Sequence, residues 1–148
     1  MQYFLGRYEY AMDERGRVPV PPRYRDLFLR GAVLNQGPDH CLRLFTAESF
    51  DQQAALYTSE PAIERRGRVT RHAFFANCFS VEPDRQGRIL IPALLREYAG
   101  LDGGVIVSGA GEWLEIWSPA SFTTEMEEAN RQEPASESPP SESRGQAS

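Results

Sequence analysis

The feature that most constrains this chain is an internal repeat. Placing DERGRVPVPPRYRD (13–26) over DRQGRILIPALLRE (84–97) aligns Asp13 with Asp84, Gly16 with Gly87, Arg17 with Arg88, Val18 with Ile89, Val20 with Ile91, Pro21 with Pro92 and Arg25 with Arg96, all at an offset of 71. Upstream the same offset pairs Phe4, Tyr8 and Tyr10 with Phe75, Phe79 and Val81. Downstream, after one inserted residue, an offset of 72 pairs Val33 with Val105, Leu34 with Ile106, Gly37 with Gly109, Leu42 with Leu114, Leu44 with Ile116, Phe45 with Trp117 and Phe50 with Phe122. So many matched apolar and glycine positions mark a duplicated unit of about 50 residues.

Both units carry the same local signals. Tyr8 and Tyr10 alternate with Arg7 and Glu9, which predicts a half-buried strand over residues 4–12, followed by a turn at Asp13–Gly16 and a short strand over Arg17–Val20. Pro22 suits the first turn of a short helix that brings Tyr24, Leu27 and Phe28 to one side; Leu95, Tyr98 and Ala99 do the same in the second unit. Gly31 and Gly100 sit where these helices should stop. Alternating apolar residues predict two further strands per unit, Ala32–Gln36 with Cys41–Phe45, and Val105–Ser108 with Trp113–Trp117. Thr46 and Ser118 fit helix N-caps. A helix is expected over Ala47–Tyr57 and another over Glu60–Phe74, the latter entered through Pro61 and weakened by Gly67.

Four strands and a one- or two-turn helix do not close a core alone, so each unit needs its twin. The reading is a mainly β (α+β) chain with a pseudo-twofold axis inside one polypeptide. Its expected divisions are a first repeat over 1–58, a connecting helical segment over 59–73, a second repeat over 74–129, and a disordered acidic tail over 130–148, where apolar residues are too few to pack.

Charge sharpens this. The net charge is -5, but six of the 21 acids and two of the 16 basic residues lie from Pro119 onward, which leaves 15 acids against 14 arginines in the body. Within that body, residues 13–30 hold five arginines against three acids, and residues 64–88 hold six against three. Every basic residue is arginine, so each cation has a planar fork able to bond a phosphate or a base edge in bidentate fashion.

Several classes are excluded by what the motifs lack. No stretch of about 18 apolar residues is present, and MQYFLGRYEY does not have the basic-then-apolar layout of a secretory leader, so a cytoplasmic protein without a membrane partner is expected. Cys41 and Cys78 show no disulfide framework, and with His40 and His72 they lack the paired spacing of a metal site, so no metal or cofactor is expected. Neither histidine lies beside a nucleophile signature, and there is no phosphate-cradling glycine loop, which argues against an enzyme and a small-molecule substrate.

The motif with chemical content is the repeated D-x-x-x-R, Asp13 with Arg17 and Asp84 with Arg88. One reading is a turn in which Asp caps backbone N–H groups and pairs with its Arg. The other is a recognition surface: under a pseudo-twofold the two turns fall on one face and bring Arg15, Arg17, Arg85 and Arg88 together. There an arginine fork directed outward matches a phosphate or the O6/N7 edge of guanine, with the Asp orienting it. Arg25 and Arg96 fit either a phosphate contact or a scaffold role beside Asp26 or Glu97.

With these residues in view, the two D-x-x-x-R segments and the intervening EPAIERRGRVTRHAFFANC resemble the MraZ family from Met1 to about Glu128. The resemblance implies a duplicated swapped-hairpin β-barrel unit related to AbrB and SpoVT. It also implies a ring-shaped homo-oligomer, and binding to repeated boxes in double-stranded promoter DNA of the bacterial division and cell-wall gene cluster, including the protein's own gene, in association with the nucleoid. The DNA contacts it implies are Arg15, Arg17, Gln86 and Arg88, with Asp13 and Asp84 as motif members; the convergence of the turns adds Arg85 as a further DNA-binding candidate. The second unit departs from the first in having Gln86 where the first has Arg15.

Two alternatives stand beside this. An antitoxin-like regulator of the same fold needs apolar anchors in its tail, and nothing in 130–148 is larger than proline among the apolar residues. A structural ring with no DNA role would bury its arginines in subunit contacts.

Overall fold

The computed structural model describes residues 3–59 and 61–132. Most of the tail expected to be disordered therefore lies outside the described residues; its first two residues, Asn130 and Arg131, belong to the last helix. No helix among the described residues is long and apolar enough to cross a membrane.

The first repeat contributes strands β1 (Arg7–Ala11), β2 (Arg17–Pro19), β3 (Ala32–Gln36) and β4 (Leu42–Thr46), with a 3₁₀ helix at Pro22–Phe28. Helices α1 (Ala47–Thr58) and α2 (Arg65–Phe75) follow. The second repeat contributes β5 (Cys78–Val81), β6 (Arg88–Leu90), β7 (Gly104–Gly109) and β8 (Leu114–Trp117), with α3 (Ala93–Ala99) before β7 and α4 (Pro119–Arg131) at the end.

All strand pairs are antiparallel. Six strands form one sheet in the order β1-β7-β8-β4-β3-β5, and β2 with β6 forms a separate two-stranded ribbon. Exchanging the repeats turns the six-strand order into its own reverse, so the pseudo-twofold axis runs between β4 and β8. Each repeat lends its first strand to the other: β1 adds to β7, and β5 adds to β3. In the ribbon Val18 faces Ile89, its own counterpart in the repeat, which places the same axis there. The result is the duplicated α+β unit expected from the repeat, with the swapped arrangement that the family resemblance implies.

One alignment expected from the sequence is corrected. Tyr8 faces Val107 across β1 and β7, while its counterpart Phe79 faces Leu34 across β5 and β3. Leu34 is therefore equivalent to Val107 and not to Ile106. Burial agrees, since Ala32, Leu34 and Asn35 are buried in β3 as Val105, Val107 and Ser108 are in β7. The second repeat has two extra residues before β7 and one fewer between β7 and β8, and the register returns to the expected one at Leu42 and Leu114.

Alternation along the strands sorts side chains to two faces. One face joins Leu34, Leu42, Leu44, Val105, Val107, Leu114 and Ile116 to Val18, Ile89, Val20 and Ile91 beneath the ribbon in a single core. Leu34, Leu42, Ile91, Leu95 and Leu114 are fully buried, each contributing about 1.5–3 kcal/mol. The other face is covered by helices. Tyr57 of α1 stacks on Phe74 of α2 at 4.0 Å, and Trp117 packs with Cys41 and Phe122 of α4.

Local signals explain the helix ends. Thr46 Oγ1 accepts the Ser49 N–H at 3.1 Å, and Ser118 Oγ accepts the Ser121 N–H at 3.2 Å, as N-caps do. Gly100 ends α3 in the left-handed region at φ 62°, where a residue without Cβ is not strained. The helix expected from Glu60 begins instead at Arg65; Pro61 opens a turn in which the Glu64 N–H reaches the Pro61 carbonyl at 3.4 Å.

Candidate nucleic-acid interface

Each D-x-x-x-R turn is built by its aspartate. Asp13 Oδ1 accepts the backbone N–H of Arg15 at 3.0 Å and of Arg17 at 2.8 Å. Asp84 Oδ1 accepts those of Gln86 and Arg88, both at 2.9 Å. The chain reverses through Gly16 (φ 88°) and Gly87 (φ 77°), conformations that cost little only for glycine. The second carboxylate oxygen holds the arginine: Arg17 Nε donates to Asp13 Oδ2 at 2.7 Å, and Arg88 Nε to Asp84 Oδ2 at 3.1 Å.

The two turns meet across the axis. Arg88 Nη1 lies 3.4 Å from Asp13 Oδ2, and Arg17 Nη1 lies 3.9 Å from Asp84 Oδ2. Asp13, Arg17, Asp84 and Arg88 therefore form one closed quartet of balanced charge, with side-chain exposures between 26% and 33%. The hydrogen bond from the Arg17 backbone N–H, with further help from the Arg17 side chain, lowers the Asp13 carboxyl to about 2. The Arg88 backbone N–H likewise lowers Asp84. Both carboxylates stay ionised at neutral pH, so the quartet stays charged on both sides.

This differs from an outward fork. Arg17 and Arg88 each spend Nε and Nη1 inside the quartet, which leaves the Nη2 edge without a protein partner among the described residues. The outward groups of the turns include Glu14 and Arg15 in the first and Arg85 and Gln86 in the second, all exposed. The Asp caps and pairs as in a structural turn, and the two turns are gathered at one ribbon.

The ribbon sets the face. Val18 and Ile89 point inward and are buried, so alternation turns Arg17, Pro19, Arg88 and Leu90 outward. Leu90 is 55% exposed beside the arginines. The sequence reading missed it; the signal was the Arg88-Ile89-Leu90 alternation once Ile89 is taken as core.

Arg25 and Arg96 form no ion pair with Asp26 or Glu97 among the described residues. Arg25 Nε donates to the Val20 carbonyl at 3.0 Å, and Arg96 Nη1 to the Arg15 carbonyl at 3.0 Å. The metal candidates are dispersed in role: His40 Nδ1 lies 3.1 Å from the Tyr98 carbonyl, His72 is on α2, and burial pushes the Cys41 and Cys78 thiols up.

Comparison with known proteins fits two copies of one unit. The family model described as "MraZ protein, putative antitoxin-like" matches residues 3–71 and again 74–140. Among similar proteins, the transcriptional regulator MraZ of Thermomicrobium roseum is 41% identical over 124 residues, covering 84% of this chain and 87% of the relative. That of Micrococcus luteus is 38% identical over 125 residues, with 84% and 87% covered, and that of Roseiflexus castenholzii 38% over 116, with 78% and 81% covered. With its duplicated unit matched twice and its length nearly spanned by these relatives, the chain belongs to the MraZ family.

Proposed function

We propose that this protein is a transcriptional regulator that binds double-stranded DNA through the paired turns Asp13–Arg17 and Asp84–Arg88. The observation that carries the reading is the quartet at the β2–β6 ribbon, which joins two arginine-bearing turns in one surface with Arg15, Arg85 and Gln86 exposed beside it. A two-stranded ribbon fits the major groove. Arg15 and Gln86 are then the base- or phosphate-facing groups, Arg17 and Arg88 offer their remaining Nη2 edges, and Asp13 and Asp84 hold the turns without touching DNA. The relatives' name, transcriptional regulator, supports the same reading.

The family resemblance extends the proposal to a ring-shaped homo-oligomer on repeated promoter boxes of the division and cell-wall gene cluster, its own gene included, and to association with the nucleoid. Charge favours repetition. A subunit body near electroneutrality binds one box weakly, whereas several subunits on adjacent boxes gain through effective concentration. The test is binding to DNA upstream of the protein's own gene, for the wild type and an Arg15→Ala, Gln86→Ala double variant, with size-exclusion chromatography alongside. Selective binding by the wild type, lost in a variant of unchanged assembly, supports the reading. Equal binding by the variant rejects the site, and no preference by the wild type rejects the regulator.

A further inference from the structure

We infer that Arg25 and Arg96 are positioning residues that act across the axis, each shaping the reading turn of the opposite repeat. The inference rests on the DNA-reading role of the turns proposed above. Its geometric basis is the space over the two turn glycines. A Cβ built on Gly16 would lie 1.7 Å from Arg96 Nη1 and 2.8 Å from its Cζ, and one built on Gly87 would lie 2.1 Å from Arg25 Nε and 2.6 Å from its Cζ. Each turn glycine is thus the seat of a guanidinium from the other repeat.

The backbone supports the same crossing. The Ile91 N–H donates to the Gly16 carbonyl at 2.8 Å, and the Val20 N–H donates to the Gly87 carbonyl at 2.8 Å. Arg96 then adds its bond to the carbonyl of Arg15, an exposed residue of the first turn. Arg25 bonds the carbonyl of Val20, whose own N–H holds Gly87. Removing Arg96 frees the peptide that aims Arg15; removing Arg25 loosens the second turn, which aims Gln86. The two arginines are half-buried, and their contacts are to carbonyl oxygens and glycines, so what they fix is backbone shape.

The role is tested by Arg96→Ala and Arg25→Ala in the full chain, read two ways. Without DNA, hydrogen–deuterium exchange should quicken over residues 13–17 but not 84–88 in Arg96→Ala, and the reverse should hold in Arg25→Ala. With promoter DNA, Arg96→Ala should weaken binding roughly five- to tenfold, the scale of one hydrogen bond. It should add little once Arg15→Ala is present, yet combine additively with Arg85→Ala. Arg96→Lys restores charge without the planar fork and should not rescue the exchange pattern. Unchanged exchange with a salt slope smaller by about one phosphate contact identifies a direct phosphate ligand and overturns the inference. So does quickened exchange confined to the turn of the arginine's own repeat, residues 84–88 in Arg96→Ala or 13–17 in Arg25→Ala. If the wild type fails to select promoter DNA, the proposed function falls, and the exchange pattern alone still decides the crossing.

Discussion

Arg88 Nη1 reaches Asp13 Oδ2 at 3.4 Å, so the arginine of the second motif is held in part by the aspartate of the first, 75 residues away in sequence. The two turns are therefore energetically linked. A double-mutant cycle between Asp13→Ala and Arg88→Ala, followed by denaturant unfolding, should give a coupling of favourable sign; strict additivity would show the quartet to be decorative. Both groups are about 30% exposed or less, and solvent screening keeps the coupling small, at the scale of surface pairs.

Acid should loosen the same quartet. The folded-state pKa of Asp13 is depressed to about 2 and that of Asp84 is also lowered, chiefly by backbone N–H groups. Their unfolded-state values are near 3.9. A depressed folded pKa contributes stability that is present above the unfolded value and lost as pH falls toward the folded one. Stability should thus decline between about pH 4 and pH 2, more steeply than in an Asp13→Asn, Asp84→Asn variant followed by thermal denaturation.

The glycines separate two kinds of cost. Gly16→Ala places a side chain at φ 88° and into Arg96. It should cost about 1–3 kcal/mol in unfolding experiments and weaken DNA binding with it. Gly100→Ala also meets positive φ but has nothing within 4 Å of its Cβ, so it should cost about 1 kcal/mol and leave binding alone.

Leu34 is fully buried and faces Phe79 of the other repeat. Leu34→Ala should cost about 2–5 kcal/mol, and it should shift one single unfolding transition seen by both tryptophan fluorescence and far-UV circular dichroism. Separate transitions for the two halves would contradict the exchanged sheet.

Much of this was legible because it is local. The turn glycines, the caps at Thr46 and Ser118 and the strand starting at Ala32 depend on neighbours a few residues apart. The equivalence of Leu34 with Val107 was hidden because a two-residue insertion before β7 is partly offset by a one-residue deletion after it, and Val33, Leu34, Val105 and Ile106 are interchangeable apolar residues to a pattern. The pairing of Arg17 with Asp13 and of Arg88 with Asp84 was legible within each motif, whereas the ties of Arg88 to Asp13 and of Arg17 to Asp84 were not, since they join opposite repeats. The same distance hid the seats of Arg25 and Arg96 on Gly87 and Gly16; the paired glycines marked tight turns but not what leans on them.

The exchange of first strands also governs how the protein is made. Arg7–Ala11 finds its sheet partner only at Gly104–Gly109, so on the ribosome the first strand waits for nearly a hundred residues, about 5–20 s at ordinary synthesis rates. Through that interval Tyr8 and Tyr10 lack their cover, and a sister chain on the same message can offer an identical β7. Newborn copies are thus open to entanglement, and chaperones that delay contact between them should raise the yield of correctly self-paired protein.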